Sequence, residues 1–223
     1  MKPMHARRAA PMVLGILGGL AGGKSTVAGL LAGRGAAVID ADRIGHQVLE
    51  RPEVRAALRS AFGEQILDKS GRIERRLLAR AAFGSPQRGP QSGPQGVDVL
   101  NGIVHPPILE EIRRRVEEIK RLKEAPLIVL DAALLVETGL DKELCEKLLY
   151  VDAPEDVRRR RARDERGIEP EQFEQRARAQ ASPEEKRKLA DYVVTNHGSL
   201  EELDEQIGRL WTTLVGNSRQ HGR

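Results

Sequence analysis

Five short apolar runs divide the chain, and the pattern between them changes period. Residues 12–17 (MVLGIL), 36–42 (AAVIDAD), 127–130 (LIVL), 148–152 (LLYVD) and 192–194 (YVV) lack polar alternation, as strands buried on both faces do. Residues 25–32 have helical spacing directly after the first run. Ile108, Ile112, Val116 and Ile119 recur at helical spacing and predict one long amphipathic helix. Ser199 and Glu202 form an S-x-x-E capping signature. Leu200, Leu203, Ile207, Leu210 and Leu214 then supply one apolar face, which predicts a terminal helix docked on the sheet. Strands separated by helices predict an α/β fold with a parallel sheet covered on both faces.

Residues 43–126 separate the second and third runs, far more than a βαβ crossover needs. The expected organisation is a core from 12–42 and 123–215, with a helical lobe, 43–122, inserted into it. A disordered extension, 1–11, and a frayed tail, 216–223, complete it. Within the lobe, residues 84–96 (GSPQRGPQSGPQG) cannot pack a core and predict a flexible loop.

Composition narrows the function. At 223 residues the chain is one domain, or one with an inserted lobe. Aromatic residues make up 3%, with Trp211 the single tryptophan, which argues against a single-strand binder that stacks bases. The lone Cys145 excludes an intramolecular disulfide framework and a multi-cysteine zinc site, and it fits a reducing compartment. The net charge of +4 suits any anionic partner, whether nucleic acid, membrane surface or polyphosphate, and does not choose among them. Lys2, Arg7 and Arg8 ahead of an apolar stretch imitate a secretory signal, but cleavage near Ala21 would destroy the motif that follows. No run reaches the ~18 apolar residues of a membrane helix. A cytoplasmic protein with no membrane partner is expected.

That motif is GGLAGGKS, residues 18–25, which fits G-x-x-x-x-G-K-[ST] between a predicted strand and a predicted helix. Glycines let backbone N–H groups wrap phosphates, and the helix N-terminus adds a favourable dipole. Lys24 would neutralise β- and γ-phosphate oxygens, and Ser25 would ligate Mg²⁺. Gly19, Leu20, Ala21, Gly22, Gly23 and Thr26 complete the expected nucleotide cradle. Motors, GTPases and small-molecule kinases share this loop, so it does not specify the reaction.

Further residues bear on that choice. Asp40 and Asp42 end the second run; such a carboxylate can accept a hydroxyl proton, hold Mg²⁺ or cap the next helix. Asp131 follows LIVL in the apolar-strand-then-Asp form of a Mg²⁺-associated carboxylate, or makes local hydrogen bonds. Arginines 158–161, 163 and 166 lie on a helix pattern with acidic neighbours. They form either a solvated face or a lid, about 154–182, that closes on the transferring phosphoryl group. Arg160 and Arg163 share a face. His105 has no second ligand at metal spacing, so zinc is discounted, and His46 and Cys145 read as structural.

Together these blocks resemble the dephospho-CoA kinase family, from about Val13 to Leu203. GILGGLAGGKSTVA resembles its phosphate loop and VIDADRIGHQVLE its DAD block. GRIERRLLARAAF and LNGIVHP resemble its substrate-lobe helices, and VLDAALLVE the strand with its leucine pair and glutamate. RARAQ and KLADYVVTN resemble its lid exit and final strand. The DAD and L-N-x-x-x-H-P blocks are the specific part. The resemblance implies a P-loop kinase-type five-stranded parallel sheet with an inserted helical substrate lobe and a helical lid. It implies ATP and dephospho-CoA as substrates and Mg²⁺ as cofactor. It makes Asp42 the base for the ribose 3′-hydroxyl, with Arg76, Asn101 and His105 in the acceptor lobe. Arg160 and Arg163 become lid arginines, Asn196 lies near the adenine pocket, and Asp131 joins Ser25 at the metal. Two departures stand out. Ala21 replaces a usual loop glycine and fits if its φ stays negative. Ala133 replaces a usual proline, which is expected to loosen that turn.

Two other readings remain open at this point. One is a P-loop kinase acting on a nucleoside monophosphate or sugar acid, which the DAD and L-N-x-x-x-H-P blocks argue against. The other is a non-catalytic, nucleotide-dependent nucleic-acid binder, which the scarce aromatics and mixed charge disfavour. A GTPase would need an N-K-x-D guanine-reading motif, and none is found.

Overall fold

Five parallel strands form one sheet in the order β2-β3-β1-β4-β5: β1 (Met12–Gly18), β2 (Ala37–Asp40), β3 (Leu127–Asp131), β4 (Lys147–Asp152) and β5 (Tyr192–Thr195). The computed structural model describes residues 10–84, 94–178 and 180–217. Its helices are α1 (Lys24–Gly33), α2 (Ala41–Leu49), α3 (Pro52–Phe62), α4 (Arg75–Phe83), α5 (Pro94–Leu122), α6 (Leu140–Leu144), α7 (Glu155–Arg166), α8 (Pro170–Arg178), α9 (Pro183–Leu189) and α10 (Leu200–Asn217). The chain divides into two compact units, one holding residues up to Asp40 and from Arg115 on, the other Ala41–Arg114.

In the sheet unit the central strand β1 is apolar and buried along its length, whereas the edge strands β2 and β5, expected to be buried on both faces, leave Val38 and Asp40, and Val193 and Thr195, exposed. Leu14 and Ile16 pack with Val27 and Leu31 of α1, Val129 of β3, Leu149 of β4 and Leu203, Ile207, Leu210 and Leu214 of α10. Each fully buried leucine, isoleucine or valine contributes roughly 1.5–3 kcal/mol. The expected cap of α10 is present: Glu202 N–H donates to Ser199 Oγ at 3.2 Å, and Ser199 N–H to Glu202 Oε2 at 3.0 Å. Leu200, expected on the buried face, is exposed, because it is the first residue of α10 and precedes the docked turns.

The second unit is helical, with a core that includes Ile44 and Val48 of α2, Val54, Leu58 and Phe62 of α3, Leu78 and Ala82 of α4, and Ile112 of α5. Arg51 and Arg114 both pair with Glu111, at 3.0 and 2.8 Å.

Several expectations need correcting. β2 stops at Asp40, where its pairing with Asp131 ends β3 as well. With no ladder partner beyond that point, Ala41 and Asp42 turn into α2. Asp42 is therefore in the first turn of a helix, where the dipole favours a carboxylate, and not at the end of a strand as the apolar run 36–42 suggests. α5 begins at Pro94, so residues 94–96 of the expected loop are helical; proline is tolerated in a first turn. α10 runs through Gly216 and Asn217, the start of the expected tail. Residues 1–9, 85–93 and 218–223 lie outside the described residues. The units divide at Ala41 and Arg115 where the sequence suggests 43 and 122, since α5 runs through the second boundary.

Candidate active site

The loop between β1 and α1 is shaped by what its neighbours leave room for. A Cβ on Gly18 would stand 3.0 Å from the Val151 carbonyl oxygen. Gly23 caps α1 in the left-handed region, φ 91°, where only glycine sits without strain. Gly22 N–H closes the turn on Gly19 O at 3.1 Å. Lys24 Nζ folds back over the loop and donates to the carbonyls of Gly18 and Gly19, both at 3.2 Å. Ser25 and Thr26 are exposed in the first turn of α1. Ala21 overturns its expectation: its φ is +57°, a conformation that costs a non-glycine residue roughly 1–2 kcal/mol. Its methyl is buried with Ala162, Ile168 and Phe173, which offsets part of that cost.

The arginine helix α7 presents the loop with residues that sequence reasoning passed over. Arg158 is 7% exposed, its Nε donates to Ala153 O at 3.2 Å, and its guanidinium lies over the Phe173 ring, 5.8 Å from the centroid. A Cβ on Gly19 would stand 2.6 Å from Arg158 Nη1. Arg161 Nη2 donates to Asn196 Oδ1 at 3.5 Å, and its Nη1 is buried without a hydrogen-bond partner among the described residues. Arg160 and Arg163 do share a face, but it borders a different cavity, with Asp156, Arg159, Ile168 and Phe173. Arg163 is tied to Asp164 at 2.8 Å. The missed signal is Ala162. It is the apolar residue inside the arginine run and fully buried, so it marks the inward face that Arg158 shares four positions earlier.

Asn196 follows β5. Its backbone N–H donates to Asp152 O at 2.7 Å and its Nδ2 to Gly22 O at 2.9 Å. The structure thus places this side chain on the backbone of the phosphate loop. A Cβ on Gly23 would stand 2.0 Å from that Nδ2.

Asp131, in register with Asp40 and Ile16, puts a carboxylate at the carboxyl end of β3. Ser25 and Asp131 are hard oxygen donors of the kind Mg²⁺ takes. No group of three or more His, Cys, Asp or Glu side chains among the described residues could hold a metal alone. In the helical unit, Asn101 and His105 are one turn apart on α5 and partly buried, while Arg76 on α4 and Asp42 on α2 are exposed. Burial lowers the His105 pKa from its ordinary 6.5 and favours the neutral ring.

A family model described as dephospho-CoA kinase matches residues 12–202. The chain belongs to the dephospho-CoA kinase family. It is 36% identical over 203 residues to a dephospho-CoA kinase of Fusobacterium nucleatum, covering 91% of this chain and 98% of that one. To that of Corynebacterium diphtheriae it is 38% identical over 200 residues, 89% of this chain and 95% of the relative. A Thermus thermophilus crystal structure superposes with a TM-score of 0.73 at 35% identity, over 92% of this chain and 98% of that chain. The phosphate loop follows the central strand of the parallel sheet. The turn that starts at Ala133 in this dephospho-CoA kinase family member is held without proline. Thr138 N–H and Oγ1 both donate to Leu134 O, at 3.0 and 2.8 Å. No helix among the described residues is long and apolar enough to cross a membrane.

Proposed function

We propose that this chain transfers the γ-phosphate of ATP to the ribose 3′-hydroxyl of dephospho-CoA, giving coenzyme A and ADP. The observation that carries the reading is the Gly18–Ser25 loop, with Lys24 Nζ poised on its two first carbonyls. Loop N–H groups from Gly19 to Thr26 bind the β- and γ-phosphates, and Lys24 exchanges the Gly18 and Gly19 carbonyls for phosphate oxygens. Arg158 and Arg161 border this loop, so the phosphate-facing lid role is assigned to them ahead of Arg160 and Arg163. Asn196 braces the loop through Gly22. Ser25 and Asp131 would hold Mg²⁺, which when bound neutralises charge on the phosphates.

In the acceptor lobe, Asn101, His105 and Arg76 bind dephospho-CoA, with His105 neutral and able to donate or accept one hydrogen bond. Asp42 orients the 3′-hydroxyl. The oxygen forms its bond to the γ-phosphorus as the bond to the β–γ bridging oxygen breaks, and the hydroxyl proton passes to the Asp42 carboxylate. We place the reaction in the cytoplasm, which a chain with one free cysteine suits. The test is product analysis by ³¹P NMR after incubation with ATP, Mg²⁺ and either dephospho-CoA, AMP, CMP or gluconate. A new 3′-phosphomonoester with dephospho-CoA alone is expected. Transfer to another acceptor, or none to dephospho-CoA, overturns the reading.

A further inference from the structure

The segment that carries Arg158 is held at both ends by two consecutive residues of α9. Lys186 is almost completely buried, its side chain 3% exposed. Its Nζ donates to Gln180 Oε1 at 3.1 Å and lies 3.2 Å from Glu137 Oε1. The same Glu137 oxygen accepts the backbone N–H of Ala181 at 2.6 Å. Gln180 and Ala181 lie between α8 and α9, where the chain leaves the α7–α8 segment. Arg187, the next residue, pairs with Asp152 at the last position of β4, where the chain leaves the sheet toward α7. A reciprocal cap between Ser182 and Glu185 sets the start of α9 and with it the direction of both basic side chains.

Burying the Lys186 ammonium costs desolvation even with Glu137 beside it, and apolar residues of similar volume often serve stability as well as, or better than, a buried ion pair. The cluster is therefore poorly explained by stability. Geometry offers a reason for it. Gln180 and Ala181 line one cavity with Gly19, Leu20, Arg158 and Phe173, so the tethered end of the segment and the phosphate loop share a wall. The hydrogen bonds and ion pair at Glu137 tie that wall to the turn before α6 and to α9.

We infer that Lys186 and Arg187 are positioning residues that clamp the two ends of the α7–α8 segment and thereby set where Arg158 meets the phosphate loop. The inference rests on the role proposed above for Arg158. The test is a double-mutant cycle on the full chain with Arg158→Ala and Lys186→Met. Steady-state kinetics with ATP and dephospho-CoA are read beside thermal melts that report the folded fraction. Lys186→Met is expected to lower kcat by about 10- to 100-fold, as small misplacements do, with a much smaller change in KM for ATP. In the Arg158→Ala background it is expected to lower kcat no further.

Losses that multiply overturn the inference, as does a loss explained wholly by a smaller folded fraction. Should Lys186→Met not fold, Gln180→Leu takes its place in the cycle. It leaves the Lys186–Glu137 pair intact, and the same non-additivity is expected. An Arg158→Ala enzyme with unchanged kcat removes both the role of Arg158 and the clamp. An impaired Arg158→Ala enzyme with multiplying losses removes the clamp alone.

Discussion

Arg158 occupies the space in which a side chain on Gly19 would begin, with Nη1 2.6 Å from where the Cβ would stand. The obstructing atom is the tip of a flexible chain, so Gly19→Ala is expected to displace the guanidinium and leave the loop backbone in place. The displaced arginine loses its hydrogen bond to Ala153 O and its contact with Phe173, together about 1–2 kcal/mol. The expected result is a folded enzyme with a melting temperature several degrees lower and turnover reduced about tenfold or more. Thermal melts beside steady-state kinetics check it, and unchanged turnover would detach Arg158 from the transfer step.

Ala21 is the strained member of the loop. Ala21→Gly removes a left-handed alanine worth roughly 1–2 kcal/mol, but gives up a buried methyl of about 0.8 kcal/mol and adds unfolded-state entropy of about 0.5–1 kcal/mol. These offset one another, and stability close to that of the parent is expected. Ala21→Val puts a β-branched side chain at φ +57° against Ala162, and a loss of about 2–3 kcal/mol is expected. Urea unfolding of the two variants measures the contrast; equal stabilities would mean that the loop relaxes out of the left-handed conformation.

In the proposed mechanism Lys24 handles phosphate and Asp42 activates the acceptor, so their variants separate the two roles. Lys24→Ala is expected to cripple turnover, by about 10²-fold or more. Asp42→Asn is expected to lower kcat by about 10²- to 10⁴-fold while calorimetry shows ATP binding retained. An Asp42→Asn enzyme with normal turnover excludes Asp42 from the mechanism.

Acid stability has a local contributor in the helical unit. The Asp68 carboxylate accepts from Ser70 Oγ at 2.6 Å, Ser70 N–H at 2.8 Å and Arg72 N–H at 3.0 Å. These bonds, the Ser70 hydroxyl foremost, lower its pKa from 3.8 to about 2. Because the folded state holds the proton less tightly than the unfolded chain, the stabilisation is present above pH 3.8 and is lost as the pH falls to about 2. Asp68→Asn is expected to make the stability curve shallower in that window only. It will not be flat, since Arg163 and Arg34 hold Asp164 and Asp204 low as well. Denaturant midpoints across the acid range decide it; an unchanged slope would show that Asp68 is not responsible.

The central strands were legible because both of their faces need apolar residues, so β1, β3 and β4 appear as apolar runs. The phosphate loop was legible because few side chains tolerate its turns. The junction at Asp40–Asp42 was harder to read. Whether those residues extend a strand or begin a helix depends on where β3 stops offering partners, a fact located some ninety residues away. The arginine run failed for a related reason. Its charge pattern gives no period, and the choice of Arg158 over Arg160 is made by the burial of Ala162 and by the bare backbone of Gly19. The clamp around Lys186 gives no local signal, since Glu137, Gln180 and Lys186 meet only when the chain is folded.

The Asn196 amide reaches the Gly22 carbonyl across 174 positions of sequence, from just beyond β5, the last of the sheet's strands in chain order. The residues of the Gly18–Ser25 loop thus leave the ribosome early, yet the loop has its brace only once β5 has joined β4. That brace is accordingly a tertiary contact, one that no N-terminal segment makes by itself.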